Sequence, residues 1–342
     1  MKKQILFLAT MFAMLNVNAK QWSVSNASQN PGQFITIKAA VDTNIVLAGD
    51  TLLVQPTAIP YSTPFTLNKS LTIIGGGFNT NKVGVFYTNI TGTVTLAVGC
   101  SGSRFYGIRF AIMNSGGTAG VLNNLLFEDC YSANTNSINF AVANYPTNLV
   151  IRNCIISEVV LANTTSSSAF ITNCIFYPGN GVQSSSGNLT VTNCTFIGGT
   201  HLSQCSNALV QNCIFQNSSL GGITNTTFTN CLNVDVGSTM PPAGAGNTGS
   251  NNMVSVTTSP FVNNANGSAF SFTGRDYHTT GASLTASTTG GPIGVYSGTS
   301  SFSLTGEPLN SGIIRSFNVN NSVVPVNGNL NINMTVTKPI TQ

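Results

Sequence analysis

Charge is what this sequence has least of. Of its 342 residues, 12 are Lys or Arg and 8 are Asp or Glu, so 6% are charged, where about 25% is usual for a soluble domain. Disorder maintained by charge combines low hydrophobicity with high net charge, and a formal charge of +4 with 42% hydrophobic residues is neither. Nucleic-acid binding needs a basic stripe, and the cations here are few and scattered, so no nucleic-acid partner is expected. Helical bundles need Ala, Glu, Lys and Leu together, which this composition does not supply. There is no Cys-x-x-Cys and there are only 2 His, so no metal site is expected. Past Leu15 no apolar run approaches the ~20 residues of a membrane span, so none is expected. Asn, Ser, Thr and 34 Gly fill the polar positions instead, as in an all-β chain with many turns.

At the start, Lys2 and Lys3 precede an apolar run from Ile5 to Leu15, followed by Val17-Asn18-Ala19. A positive start, an apolar stretch too short for a bilayer and small residues before a cut read as a signal peptide over residues 1–19. Its removal takes the formal charge from +4 to +2, by loss of Lys2 and Lys3. No Cys follows the cut, so no lipid anchor is expected. The mature chain from Lys20 is expected to be secreted, extracellular or at the cell surface.

Six short segments share one pattern of apolar residue, polar residue, Asn or Asp, then Cys: Phe127–Cys130, Ile151–Cys154, Ile171–Cys174, Val191–Cys194, Val210–Cys213 and Phe228–Cys231. Phe105–Ile108 is a seventh, with Gly for Asn and Ile for Cys. Their first residues are spaced 22, 24, 20, 20, 19 and 18 positions apart. Alternation of period two is strand, and Asn tolerates the left-handed backbone of a tight bend. Ile151 then points in and Arg152 out, Asn153 turns the chain, and Cys154, Ile155 and Ile156 point in, out and in. A strand, a bend and a second strand every ~20 residues make one coil of a solenoid, which buries its inner face only against neighbouring coils. Asn153, Asn173, Asn193, Asn212 and Asn230 form one structural column. Cys130, Cys154, Cys174, Cys194, Cys213 and Cys231 form the next.

These features resemble the right-handed parallel β-helix, or pectin-lyase-like, superfamily, to whose asparagine ladder the Asn column is similar. Ile35–Asp42, Gly49–Val54, Tyr61 and Leu71–Gly77 are similar to the N-terminal cap and first coil of such proteins. Ser259–Asn263, Asp276–His278 and Pro292–Tyr296 resemble the closing segment of secreted β-helix proteins of Bacteroidota. The resemblance spans roughly residues 33–300. It implies an all-β fold, a right-handed parallel β-helix solenoid with an N-terminal cap and a C-terminal β appendage. It implies no single activity, because this fold carries lyases, hydrolases, esterases, adhesins and inert fibres.

The helix is expected over residues 20–300, with a cap at about 33–60, regular coils at about 65–235 and a closing segment at about 253–300. Ile37, Ala40, Val41 and Ile45 recur at helical spacing, which predicts a short capping helix over 37–47. Pro, Gly and Ser over 236–252 predict a long loop leaving the stack. Residues 301–342 read as a β-hairpin appendage, with apolar alternation on either side of Asn327-Gly328, a favoured turn pair.

The 8 cysteines of a secreted chain ordinarily suggest disulfides. In one inward column, however, successive Cβ atoms stand ~4.8 Å apart, against ~3.8 Å in a relaxed bridge. A buried stack of thiols is expected, with pairwise disulfides as the alternative.

Enzymes of the resembled fold act mostly on acidic polysaccharides. A lyase there uses carboxylates to hold Ca²⁺ and a basic residue to take a proton, and hydrolases use paired carboxylates. Between Cys130 and Cys231 the only acid is Glu158 and the only basic residues are Arg152 and His201. Asp129, Arg152 and Glu158 are the catalytic candidates; Arg104, Tyr106, Arg109 and Glu128 are the ligand-binding ones. A plainer reading pairs Glu128 with Arg152 across adjacent strands and gives Asp129 the turn role of Asn. His201 reads as a solvated loop residue and His278 as part of the closing segment.

Tyr131, Ile155, Ile175, Thr195, Ile214 and Leu232 should face outward, as should Leu126, Val150, Phe170, Thr190 and Leu209 on the preceding strand. Apolar stripes are not left to water without reason. Either residues 236–342 fold back over them, or Ile155, Ile175, Ile214 and Leu232 form an assembly stripe for another subunit. Thr and Asn elsewhere suit sugar hydroxyls, with Tyr61, Tyr87, Tyr106 and Tyr145 as stacking rings. The leading expectation is a non-catalytic surface or matrix protein that binds glycans or assembles with other surface components, without a cofactor. The alternatives are a polysaccharide lyase or glycoside hydrolase, with Ca²⁺ for the lyase alone, and a structural filament subunit.

Overall fold

The computed structural model describes residues 19–28, 31–79, 86–140, 144–161, 164–235, 239–244, 246–254, 259–265, 269–299, 302–307, 313–319 and 332–337. Residues 1–18 of the expected signal peptide and the expected Asn327-Gly328 turn lie outside them. The chain forms a parallel β-solenoid of about nine turns, spaced about 21 residues apart, with almost no helix.

Two long parallel sheets make its walls. The first has 11 strands in chain order, from Gln21–Val24 and Thr51–Val54 to Thr227–Thr229 and Thr248–Ser250. The second runs from Phe65–Leu67 to Met253–Val254. The repeat sets the register: Phe105, Phe127, Ile151, Ile171, Val191, Val210 and Phe228 stand side by side on adjacent strands and are fully buried. A slip of one residue would turn this whole column into water. The stack continues one turn past the last Asn-Cys motif. Thr248–Ser250 and Met253–Val254 rejoin the sheets, so the departing loop is shorter than the composition of 236–252 suggests.

The Asn column makes the bends. Asp129, Asn153, Asn173, Asn193, Asn212 and Asn230 have φ of 51–54°, and Gly107 of the first motif has 58°. This is the left-handed region, which short polar side chains and Gly enter at least cost. The side chains then reach outward. Asn173 Nδ2 donates to the carbonyls of Val295 and Ser297 at 3.0 Å each, and Asn230 Nδ2 donates to that of Ala286 at 2.6 Å. Thr288 N–H donates to Asn212 Oδ1 at 3.0 Å. The ladder therefore also holds a C-terminal strap. Asn173→Ala is expected to cost about 2–3 kcal/mol, from left-handed strain plus two strap carbonyls left without donors. Asn173→Gly should cost less, because Gly enters that φ freely. Denaturant midpoints of the two variants check this.

Behind each Asn or Asp bend of this column sits a thiol, and all 8 cysteines are buried and free. Cys154 Sγ donates to Arg152 O at 3.1 Å and Cys174 Sγ to Thr172 O at 3.2 Å. Burial pushes the thiols of Cys130, Cys154 and Cys174 up, and those of Cys100 and Cys205 up to about 12, which makes them poor nucleophiles. Phenylalanine rings stack along the same interior, Phe176 on Phe196 at 4.8 Å and Phe196 on Phe215 at 4.7 Å.

At the N-terminal end the helix Ile37–Asp42 buries Ile37, Ala40 and Val41, and Thr36 Oγ1 caps it by accepting the Ala39 N–H at 3.0 Å. Ile45, expected on the same face, is 53% exposed because the helix stops at Asp42.

The closing segment corrects the assembly stripe. Phe261–Asn263 pairs antiparallel with Asp276–Thr279, and Phe261, Tyr277, Ile293, Val295 and Phe302 cluster with Ile155, Ile175, Ile214 and Leu232. Those four stripe residues are fully buried, because this chain's own strap occupies the place a partner would take. The cover does not extend to the first sheet, where Phe170 and Leu209 stay 43% and 42% exposed. Further on, Ile313–Val319 pairs antiparallel with Ile332–Thr337.

Candidate functional site

The uncovered face of the first sheet carries three of the six charged candidates, Arg104, Glu128 and Arg152. Register places Arg104, Leu126, Val150, Phe170, Thr190 and Leu209 in one outward column. Tyr106, Glu128, Arg152, Thr172, Thr192 and Gln211 form the other. Arg152 Nη2 donates to Glu128 Oε2 at 2.7 Å, a bond that holds the guanidinium even more firmly protonated than usual. Next along the column, Thr192 Oγ1 donates to Thr172 Oγ1 at 3.0 Å, and Thr172 Oγ1 donates to Asn173 Oδ1 at 2.7 Å.

The strap turns this face into a groove. Gly298 and Thr299 form one wall of an open cleft of about 550 Å³, whose floor includes Glu128, Arg152, Phe170, Thr172, Thr192 and Asn193. Its parts are an exposed aromatic ring, a row of hydroxyl and amide groups along the stack, and one ion pair at an end. An apolar plate beside a few placed polar groups is the grammar of a small-molecule or sugar site.

Arg104, Tyr106, Glu128 and Arg152 share three adjacent strands, but the remaining candidates lie elsewhere. Arg109 belongs to the second sheet, with its guanidinium 5.0 Å from the Tyr131 ring centre and 5.5 Å from that of Tyr87, a cation–π clamp. Asp129 is 1% exposed in its bend. Glu158 is 4% exposed and accepts hydrogen bonds from Asn136 N–H at 2.5 Å, Asn180 Nδ2 at 3.1 Å and Gln183 Nε2. Three neutral donors on a buried carboxylate make it a clasp between bends. The catalytic candidates Asp129, Arg152 and Glu158 therefore do not line one groove.

Two further expectations change. Tyr61 is a core residue whose hydroxyl donates to Gln55 O at 2.8 Å, so it offers no ring for stacking. His201 is fully buried instead of solvated. Thr200–His201 pairs with Ser219–Leu220, and the ring packs 4.9 Å from Phe196 in space left by Gly181, where a Cβ would stand 2.5 Å from Nδ1. Among the described residues neither ring nitrogen has a hydrogen-bond partner of normal geometry.

A second groove, of about 630 Å³, escaped sequence reasoning. It is lined by Asn217, Ser218, Asn233, Asp235 and Thr239, and Asp235 Oδ2 accepts the Ser218 N–H at 2.8 Å. Asp235 follows the last Asn-Cys coil, so no repeat position marks it. Among the described residues no aromatic ring lines this groove, and the Phe170 groove is the better candidate. Among the described residues no cluster of three His, Cys, Asp or Glu side chains is placed to hold a metal ion. Comparison with protein-family models, curated proteins and solved structures finds no match to this chain.

Proposed function

We propose that this is a secreted, non-catalytic β-helix protein of the cell surface or matrix that binds a glycan along the open face of its first sheet. The observation that carries this reading is the groove in which the half-exposed Phe170 ring lies beside Thr172, Thr192 and Asn193. A pyranose ring lays its C–H face on an aromatic plate while its hydroxyls meet hydroxyl and amide groups. Export is supported by the pattern from Lys2 to Ala19. Kinship with right-handed pectin-lyase-like proteins, and with secreted Bacteroidota proteins in particular, is supported by the left-handed Asn column and the closing-segment motifs.

Catalysis fits the groove less well. A hydrolase needs two carboxylates roughly 5–10 Å apart, and among the described residues Glu128 is the only acid on the groove's lining. A lyase's Ca²⁺ takes 6–8 oxygen ligands, several of them carboxylate, and Glu128 alone, already bonded to Arg152, does not fit that ion.

Calorimetric titration of the mature protein with neutral and uronate-containing polysaccharides tests the proposal, alongside assays for reducing ends and unsaturated products. Binding without product release is expected, weakened about tenfold or more by Phe170→Ala, which corresponds to roughly 1.4 kcal/mol. Product release that disappears in Glu128→Gln would make the protein an enzyme. Absence of binding to every polymer would turn attention to assembly through Phe170 and Leu209.

A further inference from the structure

Asp50 is 3% exposed, just ahead of the strand Thr51–Val54. Its Oδ1 accepts the Lys20 main-chain N–H at 2.8 Å, and its Oδ2 accepts the Trp22 indole N–H at 2.8 Å and the Leu47 N–H at 2.9 Å. A buried carboxylate ordinarily faces a cation. Among the described residues no Lys or Arg side chain donates to it. The Lys20 ammonium lies over the Trp22 ring, 5.9 Å from its centre, where its charge favours the ionised Asp50 without bonding to it, and Lys69 Nζ donates to Thr43 O and Val46 O. Lys20 is held from its other side as well, its carbonyl accepting the Thr51 N–H at 2.8 Å. It is also the residue at which the signal-peptide reading places the first position of the mature chain.

We propose that Asp50 is the receptor for the mature N-terminus, and that the α-ammonium of Lys20 supplies its positive charge. The inference rests on the reading of residues 1–19 as a signal removed by a leader-cleaving endopeptidase. Hydrolysis of the Ala19–Lys20 bond consumes one water, leaves a carboxylate on Ala19 and an amine on Lys20, and the amine takes up a proton at neutral pH. The 2.8 Å contact then joins an ammonium to a carboxylate, a bond roughly twice as strong as its neutral counterpart. Ala19 is exposed, and an uncleaved chain brings a neutral amide to Asp50 in place of the ammonium. Processing thereby locks Gln21–Val24, the end strand of the first sheet, in the exported form of the chain. End strands are where sheets pair wrongly with other chains, so this lock would come only after export.

The test compares chains starting at Lys20 with a free amine, with an Nα-acetyl group, and with one Gly added ahead, each with Asp50 and with Asp50→Asn. Acetylation or the added Gly is expected to lower the melting temperature at pH 7 by several degrees in the Asp50 chain. In the Asp50→Asn chain either change should cost less than a third as much. The Lys20 α-amine should bind its proton at least tenfold more tightly than an ordinary α-amine, whose pKa is about 7.7–8.0. With a raised pKa, the gap between amine and acetyl chains is full below that range and closes as pH rises through the folded value. Asp50 and the side chains of Lys20 and Lys69 are the charged groups nearby. Equal melting of amine and acetyl chains, or equal losses with and without Asp50, overturns the proposal. The intact mass of the exported protein tests the cut separately. A start at another residue refutes the processing step, while the melting comparison still decides whether Asp50 holds an ammonium.

Discussion

Phe196→Ala is expected to lower the unfolding free energy by about 3–5 kcal/mol, the range for deleting a fully buried aromatic ring. The ring is the middle of a stack, with Phe176 at 4.8 Å and Phe215 at 4.7 Å, both within 8° of parallel, and His201 closes a third side at 4.9 Å. A solenoid is stabilised by contacts between neighbouring coils, so a gap here weakens two interfaces at once. The parallel strands on either side are tied by backbone ladders and cannot collapse into the gap, which keeps the cavity contribution large. Phe170→Ala removes the same side chain from an exposed position and should cost under about 1 kcal/mol. Chemical denaturation of both variants checks the contrast. A loss below about 1 kcal/mol for Phe196→Ala would mean that the column repacks and that the stack is not a rigid ladder.

The second large effect is acid sensitivity through His201. Burial lowers its pKa from 6.5 to about 3, with the Gly198 backbone opposing it. The folded ring is therefore neutral across a range in which the unfolded ring takes up a proton. Stability is complete above pH 6.5 and falls as pH drops from there toward 3, at about 1.4 kcal/mol per unit. Between pH 6.5 and 4 the expected loss is about 3 kcal/mol. This window separates His201 from the acids. Burial raises the pKa of Asp50 and Asp276, but hydrogen bonds from their neighbours outweigh it and hold both below 3.8, so they lose their contribution only at lower pH. His201→Leu should flatten the curve between pH 6.5 and 4. At pH 7 it should be neutral or stabilising, because it removes two buried nitrogens without normal partners. Denaturant midpoints at pH 7, 5.5 and 4 decide the matter, and an unchanged slope in His201→Leu would sink it.

His201 also marks where reading the sequence alone fails. A Gly-Gly-Thr-His stretch suggests a solvated loop. Burial comes from pairing with Ser219–Leu220 and from the missing Cβ of Gly181, 20 residues earlier in the chain. No local pattern announces a cavity that a distant glycine opens. Arg109 is a similar case, since the rings that clamp it, Tyr87 and Tyr131, come from the coils before and after.

The solenoid, its register, the left-handed bends, the buried thiol column and the Glu128–Arg152 pair were all legible in the residues. Each is a local or next-coil property. A period-two pattern decides which side chains point inward, and a 20-residue period decides which of them touch. The strap was different. That Phe261, Tyr277, Ile293, Val295 and Phe302 cover Ile155, Ile175, Ile214 and Leu232 while Phe170 stays exposed depends on amides of Asn173 and Asn230 donating to carbonyls of Val295, Ser297 and Ala286, contacts 56 to 124 residues apart. A main-chain carbonyl is the same at every residue and leaves no mark in the sequence. The amino-acid order therefore determined the ladder, whereas only tertiary packing decided which of its faces is covered and which forms the groove.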